Sequence, residues 1–292
     1  MFKAPPYEVY SVVTGTLRLD GGAMFGVVPK VLWRHKVDVD DENRILLAMR
    51  TLVAVDRKRQ RVIVVDTGAG TKWRRDKAER FAIDYNAAAI DHALAAIGLT
   101  ERHVTDVVVT HLHFDHNGGL TEWTDAAGGP TRLRFPSARH WVHREHWRHA
   151  HHPTGKDRAS FLTEDFAALE RSDALSLVDG DEPDAPYPGM AWYVSHGHTP
   201  AQLHPIFGTG TQRVMFVGDI IPTAAHVQPA WVMAYDLHPL TTIEEKAQML
   251  ARSIDEAMAI AFPHDPRVAV ARVTGTPQRP ALEDVQPTRA PD

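Results

Sequence analysis

The sequence has no cysteine, no long apolar run and no block of like charges. Without cysteine, the chain forms no disulfide, no thiolate metal site and no cysteine nucleophile. Its longest apolar runs, such as "VIVV", are far too short to span a bilayer. The 32 basic and 37 acidic residues give a formal net charge of −5, which speaks against a partner held by phosphate contacts. We therefore expect a small-molecule substrate, with neither a nucleic acid nor a membrane as partner. Whether the protein forms a homodimer is left open by the sequence.

The composition is that of an ordinary globular protein. Apolar residues make up 43% of the 292 residues, enough for one large α/β domain or two small ones. The first residues, "MFKAPPYEVY", lack the apolar segment of a secretory signal, so we expect a cytoplasmic protein.

Hydrophobic periodicity predicts an alternation of strands and helices over one domain, residues 1–275. Strands are predicted at 7–19, 43–56, 61–66, 106–110, 138–142, 190–195, 201–207, 213–219, 259–265 and 267–273. Helices are predicted at 86–98, in two pieces within 143–171, and at 241–258, where Thr241 and Glu244 have the spacing of a capping box. The Pro-rich residues 276–292 are expected to form a loose tail. This order indicates two sheets sandwiched between helices.

The stretch "VVVTHLHFDHNGG" places four metal-binding side chains, His111, His113, Asp115 and His116, within six positions after a buried strand. Because the strand period is two, a His-x-His pair at a strand end projects both imidazoles to one side. Imidazole and carboxylate ligands together suit Zn, Fe, Co or Mn better than Ca or Mg. A polar turn with surface histidines is the alternative, but this density of ligand types favours a metal site.

Three more ligand-type residues follow predicted strands. His198 lies in "SHGHTP", Asp219 ends "FVGD", and His264 lies in "AFPHD". Loops at the carboxyl ends of strands gather into sites in α/β proteins, so we expect these residues near the histidine stretch.

Together these motifs resemble the metallo-β-lactamase-fold superfamily of metallohydrolases, over residues 66–265. The six-residue stretch is specific for the superfamily but not for a substrate. The resemblance implies an α/β fold, an αββα sandwich of two mixed β-sheets flanked by helices, in which residues 143–171 form a helical insertion over the active site. It also implies two divalent metal ions, with zinc as first choice and iron, cobalt or manganese as alternatives.

The resemblance assigns seven ligands. His111, His113 and His198 match the ligands of one metal, Asp115, His116 and His264 match those of the second, and Asp219 matches the bridging carboxylate. His196 is the alternative to His198 as the third ligand of the first metal, since "HGH" contains two imidazoles. His198 is preferred because it follows Gly and precedes Thr-Pro, as the ligand of the family does.

Two such cations would share a water and lower its pKa from about 15.7 towards 7. The bridging hydroxide would attack an ester, lactone, amide or phosphoryl centre. Asp115 and Asp219 are the candidate catalytic carboxylates, and Asp115 is placed to orient the hydroxide or accept its proton. The chain offers neither a Gly-x-Ser-x-Gly nucleophile nor a cysteine.

The stretch "HLHFDHNGG" looks like that of N-acyl-homoserine lactonases, which usually carry a Tyr three positions after the bridging Asp. Here that position is Pro222, and Tyr235 could enter from the following loop instead. Related organophosphate hydrolases use larger aromatic pockets. We predict a binuclear hydrolase of small esters or lactones. Its candidate substrate-binding residues are Trp147, Phe161, His226, Trp231 and Tyr235.

Several alternatives stay open. The same fold also supports phosphotriesterase-type hydrolases, thioesterases similar to glyoxalase II, and mono-iron dioxygenases. The thioesterase usually needs basic residues for glutathione, which we cannot place, and the dioxygenases tend to lose the second ligand set. A non-catalytic metal-binding protein and a nuclease are further alternatives, and the latter would want a basic surface.

Two other patterns are rejected as sites. "DTGAGTKW" lacks the Gly-Lys-Ser/Thr ending of a phosphate loop, so we interpret it as a tight turn in which Asp66 ties down the loop. The run "RHWVHREHWRHAHH" lacks His-Glu-x-x-His. A polar helix face or substrate-lining histidines are favoured there over a second metal site.

Overall fold

A computed structural model describes residues 1–125 and 128–288. Its strands, in chain order, are β1 (Phe2–Ala4), β2 (Tyr7–Asp20), β3 (Arg44–Asp56), β4 (Arg61–Val65), β5 (Asp84–Tyr85), β6 (Asp106–Val108), β7 (Thr121–Trp123), β8 (Thr131–Leu133), β9 (Arg139–His143), β10 (Leu175–Val178), β11 (Met190–Ser195), β12 (Gln202–Thr209), β13 (Gln212–Phe216), β14 (Ala259–Ala261), β15 (Val268–Thr276) and β16 (Arg279–Pro287). Its α-helices are α1 (Gly21–Phe25), α2 (Lys30–Trp33), α3 (Arg75–Arg80), α4 (Ala89–Ala96), α5 (Phe114–Asn117), α6 (Arg144–His151), α7 (Thr163–Glu170) and α8 (Pro239–Asp255).

The strands form two mixed sheets. The first has the order β1-β2-β3-β4-β6-β9-β10, with β5 paired to β2, and the second runs β11-β12-β13-β14-β15-β16. Within the first sheet β4, β6, β9 and β10 are parallel neighbours, and within the second β13 and β14 are parallel. The short hairpin β7–β8 stands apart from both. The predicted two-sheet α/β architecture is therefore confirmed.

Alternate residues of the central strands face different layers. On β4, Ile63 and Val65 pack against the second sheet, where they meet Leu203 and Phe216. Val62 and Val64 pack instead on the outer face, among residues of α4, α6 and α7. Because both faces are covered, the strand needs an uninterrupted apolar run, which explains "VIVV".

The second sheet is covered by α8 on its outer face. Met249 and Leu250 of α8 pack with Ile206, Met215 and Ile260 of the sheet. The layers therefore follow the order helices, sheet, sheet, helix, as the predicted αββα sandwich requires. In the described parts of the chain no helix combines the length and the apolarity needed to cross a bilayer.

The predicted loose tail is wrong for residues 276–288. Residues Arg279–Pro287 form β16, which pairs antiparallel with β15. The two prolines of this strand are tolerated because β16 is an edge strand, where only one side of the backbone donates hydrogen bonds to the sheet. Thr288 follows the strand and accepts a hydrogen bond of 2.7 Å from the buried Arg50. Residues 289–292 lie outside the described residues.

The predicted capping box of the last helix is also wrong. Helix α8 begins at Pro239, two residues before Thr241, because the fixed φ of proline suits the first turn of a helix. Thr241 therefore lies inside the first turn and cannot cap it. The remaining predicted helices are found, including the two pieces of residues 143–171, which are α6 and α7.

A buried ion pair joins the 143–171 insertion to the body of the protein. Lys72 Nζ lies 3.0 Å from Asp165 Oδ1 of α7, and each side chain is 3% exposed. The ammonium also donates to the carbonyls of Gly118 and Thr121, the latter at 2.7 Å. Burial raises the pKa of Asp165 to about 6, although Lys72 opposes this effect. The pair holds α7 against the turn that follows the histidine stretch.

Removing one partner of this pair should destabilise the fold. We expect Lys72→Met to lower the free energy of unfolding by about 3 kcal/mol, because it leaves a buried carboxyl and two carbonyls without their donor. Arg75→Met is the matched control, since the Arg75–Glu79 pair is exposed and should contribute at most about 1 kcal/mol. Urea unfolding followed by circular dichroism measures both. Equal effects of the two variants would contradict the assigned role.

Candidate metal centre

The residues predicted as ligands lie on loops that leave both sheets at one end. His111 follows β6, His198 follows β11, Asp219 follows β13, and His264 follows β14. The parallel pairings β4–β6 and β13–β14 bring these carboxyl ends to a common edge. The sandwich therefore gathers side chains that lie up to 153 positions apart in the sequence, from His111 to His264.

The seven predicted ligands meet in three buried groups, and the ligand atoms within each group lie within 4.8 Å of one another. These groups are His111, His113 and His198; His111, His116 and Asp219; and Asp115, His116 and His264. The side chains that the resemblance assigns to two ligand sets therefore lie close together, and Asp219 contacts members of both. No other such group occurs within residues 1–125 and 128–288.

His196, the alternative to His198, points away from the centre. Its Nε2 lies 3.1 Å from the carboxylate of Asp181, an exposed side chain. His198 is buried, and its Nε2 lies 3.2 Å from His113 Nδ1. The geometry therefore favours His198 as the third member of the first set.

The short distances between imidazoles fit bound cations. His116 Nε2 and His264 Nε2 lie 3.0 Å apart, and the lone pairs of two neutral rings at this distance repel unless a proton or a cation lies between them. His111 Nε2 is buried and has no hydrogen-bond partner in the described residues. A buried nitrogen without a partner is costly, and a divalent ion would supply the missing interaction. Nitrogen and carboxylate donors suit Zn, Fe, Co or Mn.

Asp219 presents one oxygen to each ligand set. Its Oδ1 lies 3.2 Å from His116 Nε2 and 3.2 Å from His264 Nε2. Its Oδ2 lies 3.4 Å from His198 Nε2. Burial would raise the pKa of Asp219, but His116 and His264 outweigh burial and hold that pKa well below its ordinary value. The carboxylate is therefore ionised, the form in which a carboxylate binds metal ions.

The imidazoles of the two sets differ in their proton affinity. Burial and the neighbouring imidazoles hold the pKa of His111 and His113 well below the ordinary value, which keeps both rings in the neutral form that binds metals. Burial also opposes the charged form of His116, but Asp219 and Asp115 outweigh it and raise the pKa of His116 well above the ordinary value. The carboxylates of Asp219 and Asp115 thus favour a positive charge beside His116.

The second nitrogen of three ligand imidazoles is fixed by an acceptor. His116 Nδ1 pairs with Asp66 at 2.8 Å, His198 Nδ1 with Asp236 at 2.9 Å, and His264 Nδ1 with the carbonyl of Ala48 at 2.8 Å. Each contact orients the ring so that Nε2 faces the centre. The prediction that Asp66 ties down its loop agrees with its further bonds to Thr110 at 2.8 Å. The sequence did not reveal Asp236, because it lies in no motif.

The loop that carries His198 is held by α8. The carboxylate of Glu245 accepts hydrogen bonds from the backbone N–H groups of His196 and Gly197, at 2.7 and 2.8 Å. A Cβ atom at Gly197 would lie 2.4 Å from the backbone nitrogen of Thr242, so only glycine allows this approach. Glu245 is adjacent to the glutamate of the predicted capping box and instead positions the ligand loop.

A cavity of about 310 Å³ opens onto the centre. His113, Asp115, His198, Asp219 and His264 contribute to its lining, which marks its base. Six apolar side chains line the rest of one side, namely Leu19, Met24, Leu47, Phe81, Phe114 and Met233. The insertion contributes Lys156, Asp157, Ala159 and Ser160. Residues 143–171 thus reach the cavity through small and polar side chains, not through their large aromatic ones.

Tyr235 is the only one of the five predicted substrate-binding residues that lines this cavity. Trp147 packs against Phe166 of α7, with ring centroids 5.9 Å apart. Phe161 packs behind His113, with ring centroids 4.8 Å apart. The predictions for Trp147 and Phe161 as cavity walls are therefore wrong, because both rings are taken up by core packing.

The predictions for His226 and Trp231 are wrong for the same reason. His226 is buried, with Nδ1 bonded to Thr223 at 2.7 Å and Nε2 to the carbonyl of Met24 at 2.8 Å. Its ring and that of Trp231 both pack on Phe25. Both side chains pack on Phe25, which follows the wall residue Met24, and neither lines the cavity.

The chain matches the family model described as "Metallo-beta-lactamase superfamily" over residues 51–264. A probable metal-dependent hydrolase from Staphylococcus aureus is similar over 99% of both chains, with 28% identity and a TM-score of 0.87. The hydrolase AbOPH of the beta lactamase superfamily shares 18% identity over 96% of this chain and 95% of its own, with a TM-score of 0.75. AidC, a dizinc quorum-quenching lactonase, shares 16% identity over 97% and 95%, with a TM-score of 0.74. No curated protein matches the chain.

Asp66 and Asp236 each bond to an imidazole of a different ligand set, so substituting them tests the two sets one at a time. Asp66→Asn should weaken metal binding at the set containing His116, and Asp236→Asn should weaken binding at the set containing His198. We expect a loss of about tenfold to a hundredfold in affinity at the affected set, because these acceptors orient the rings. Competition with a chromophoric chelator measures both affinities. Variants that bind metal as tightly as the unchanged protein would contradict the assigned role of these carboxylates.

Proposed function

The chain belongs to the metallo-beta-lactamase superfamily and is a metal-dependent hydrolase, and we propose that it uses two divalent ions to cleave small esters or lactones. The observation that supports two ions most directly is Asp219, whose two oxygens face two complete ligand sets. Zinc is the proposed metal, since the similar AidC is described as a dizinc lactonase. The complete second set disfavours a mono-iron dioxygenase.

Two bound divalent ions would polarise the substrate carbonyl and lower the pKa of a water in the centre. The residues of the chain have separate tasks in this proposal. Asp219 stays ionised and would offset the mutual repulsion of two bound cations. Asp115, whose Oδ2 lies 3.6 Å from His264 Nε2, lines the base of the cavity and can orient the attacking water or accept its proton. The apolar wall excludes bulk water from the reacting atoms.

The cavity fits a small substrate with an apolar acyl or alkyl group. Leu19, Leu47, Phe81 and Met233 line the same cavity as the centre, and pockets for small molecules are usually lined by apolar side chains. The insertion supplies polar groups on its side, including Lys156 and Ser160. An ester or lactone would place its carbonyl at the centre and its apolar group on this wall.

Tyr235 is the proposed partner of the substrate carbonyl. The position three residues after Asp219 is occupied by Pro222, which cannot donate a side-chain hydrogen bond. Tyr235 enters the cavity from a later loop. Burial, together with the Asp20 and Asp115 carboxylates, raises the pKa of Tyr235 to about 12. Its hydroxyl, like that of any tyrosine with an ordinary or raised pKa, is protonated at neutral pH and can donate a hydrogen bond.

Metal content tests the binuclear proposal. Protein purified without chelator should contain about two equivalents of divalent metal by elemental analysis. Asp219→Ala should lose at least one equivalent and most of the esterase or lactonase activity, because the two sets then lose their common ligand. His196→Ala is the control and should retain both metals. One equivalent in the unchanged protein, or two in a fully active Asp219→Ala variant, would contradict the proposal.

The dependence of kcat/KM on the length of the acyl group tests whether the assigned apolar side chains contact the substrate. Phe81→Ala enlarges the cavity and should raise kcat/KM for long-chain esters relative to short-chain ones by about tenfold, since a methylene group in an apolar pocket contributes about 1–3 kcal/mol. Leu19→Phe narrows the cavity and should shift the ranking the other way. Trp147→Ala, outside the cavity, should lower the melting temperature and affect all substrates alike. If only Trp147→Ala changed the order of kcat/KM among long-chain and short-chain esters, the assigned apolar wall would be contradicted.

A further inference from the structure

One histidine of the insertion lies between the two loops that carry the first ligand set. His146 is fully buried on α6. Its Nε2 accepts a hydrogen bond of 2.7 Å from the backbone N–H of Leu112. Its Nδ1 donates a hydrogen bond of 2.9 Å to the carbonyl of Pro200. A single imidazole thus connects a loop of the first sheet with a loop of the second.

The two bonded backbone groups are adjacent to ligands. Leu112 lies between His111 and His113, and Pro200 follows His198 by two positions. The side chain of Leu112 is fully buried, so its N–H would be costly to leave without an acceptor. One imidazole ring, which holds a donor and an acceptor in a fixed geometry, therefore spans the gap between the two loops.

The neighbouring histidines of the same helix make different contacts. His149 Nε2 pairs with Asp157 at 2.6 Å, within the insertion. His151 Nδ1 donates to the carbonyl of Trp147 at 2.8 Å, within α6 itself. Both contacts are local to residues 144–157. Only His146 of these three reaches across to the loops of the metal centre.

We propose that His146 is a positioning residue that sets the spacing of His111, His113 and His198 for the first metal ion. This inference rests on the proposed metal centre and adds a role for the histidine-rich helix. The helix is neither a second metal site nor a wall of the cavity. Helix α6 carries His146, whose ring is hydrogen-bonded to both ligand loops. Neither loop can move away from the other without breaking one of these two bonds.

The test compares two equal substitutions on one helix. His146→Phe keeps an aromatic ring of similar size but loses both hydrogen bonds, and His151→Phe makes the same chemical change away from the loops. In titrations of metal-free protein with Zn²⁺ against a chromophoric chelator, His146→Phe should weaken one of the two binding steps by about tenfold to a hundredfold. The other step, and both steps of His151→Phe, should remain within a factor of about three of the unchanged protein.

The His146→Gln variant and hydrogen exchange of the Leu112 amide distinguish a role of His146 in positioning the ligands from a role in stability alone. His146→Gln carries both an acceptor and a donor and should recover at least part of the lost affinity. In metal-free protein, hydrogen exchange should show a protected Leu112 amide, and His146→Phe should remove that protection while that of α8 is kept. A loss of protection spread over the whole chain would mean a structural role only and would overturn the proposal.

Other outcomes also contradict the inference. Unchanged Zn²⁺ affinity in His146→Phe, or an equal loss in His151→Phe, would overturn it, as would an unprotected Leu112 amide in the unchanged protein. The proposed hydrolase function can fail separately. Unchanged protein that binds two ions but hydrolyses neither esters nor lactones would contradict that function, while the comparison of the His146 variants would still decide the bridge.

Discussion

The close approach of buried imidazole and carboxylate groups where the two sheets end governs how the surrounding loops are held. His116 Nε2, His264 Nε2 and Asp219 Oδ1 lie within 3.2 Å of one another, out of water. Such groups are costly to bury unless charge is balanced and every lone pair has a partner. Divalent cations would satisfy both conditions. The centre therefore explains why polar side chains interrupt a core that is otherwise apolar.

The sandwich itself supplies the anchors of the centre. His264 is fixed by β3, because the carbonyl of Ala48 accepts from its Nδ1 and the backbone N–H of Ala48 donates to the carbonyl of His264 at 3.0 Å. The buried Arg50, two residues further along β3, donates to the carbonyls of Phe262 and Asp265 at 2.7 and 2.5 Å. A strand of the first sheet thus holds a ligand loop of the second. Neither sheet alone could form both ligand sets.

Local patterns in the sequence were enough to predict most strands and the side chains that the fold gathers into the candidate metal centre. His111, His113, Asp115 and His116 are adjacent in the chain, and each remaining ligand follows an apolar strand with a recognisable period. The helices of the insertion were also predictable. Residues whose role depends on a partner far away in the sequence were not, and Asp236, Glu245 and His146 belong to this class. Their side chains bond to backbone or imidazole groups that only the folded chain brings near.

The walls of the cavity were the hardest feature to predict. Large aromatic side chains suggest a pocket, but Trp147 and Phe161 gain more by burial in the core beneath the insertion. The wall is formed instead by residues such as Leu19 and Phe81, from segments far from the ligand motifs. The edge strand β16 was hidden by its prolines, which indicate a loose segment unless the strand lies at the border of a sheet.

The central claim is that Asp219 lies between two cations. Anomalous diffraction at the zinc edge, from crystals of protein prepared without chelator and supplied with Zn²⁺, tests it most directly. We expect two strong peaks, one surrounded by His111, His113 and His198 and the other by Asp115, His116 and His264, with Asp219 in contact with both. A single peak within one set, with the other set empty at saturating Zn²⁺, would contradict it.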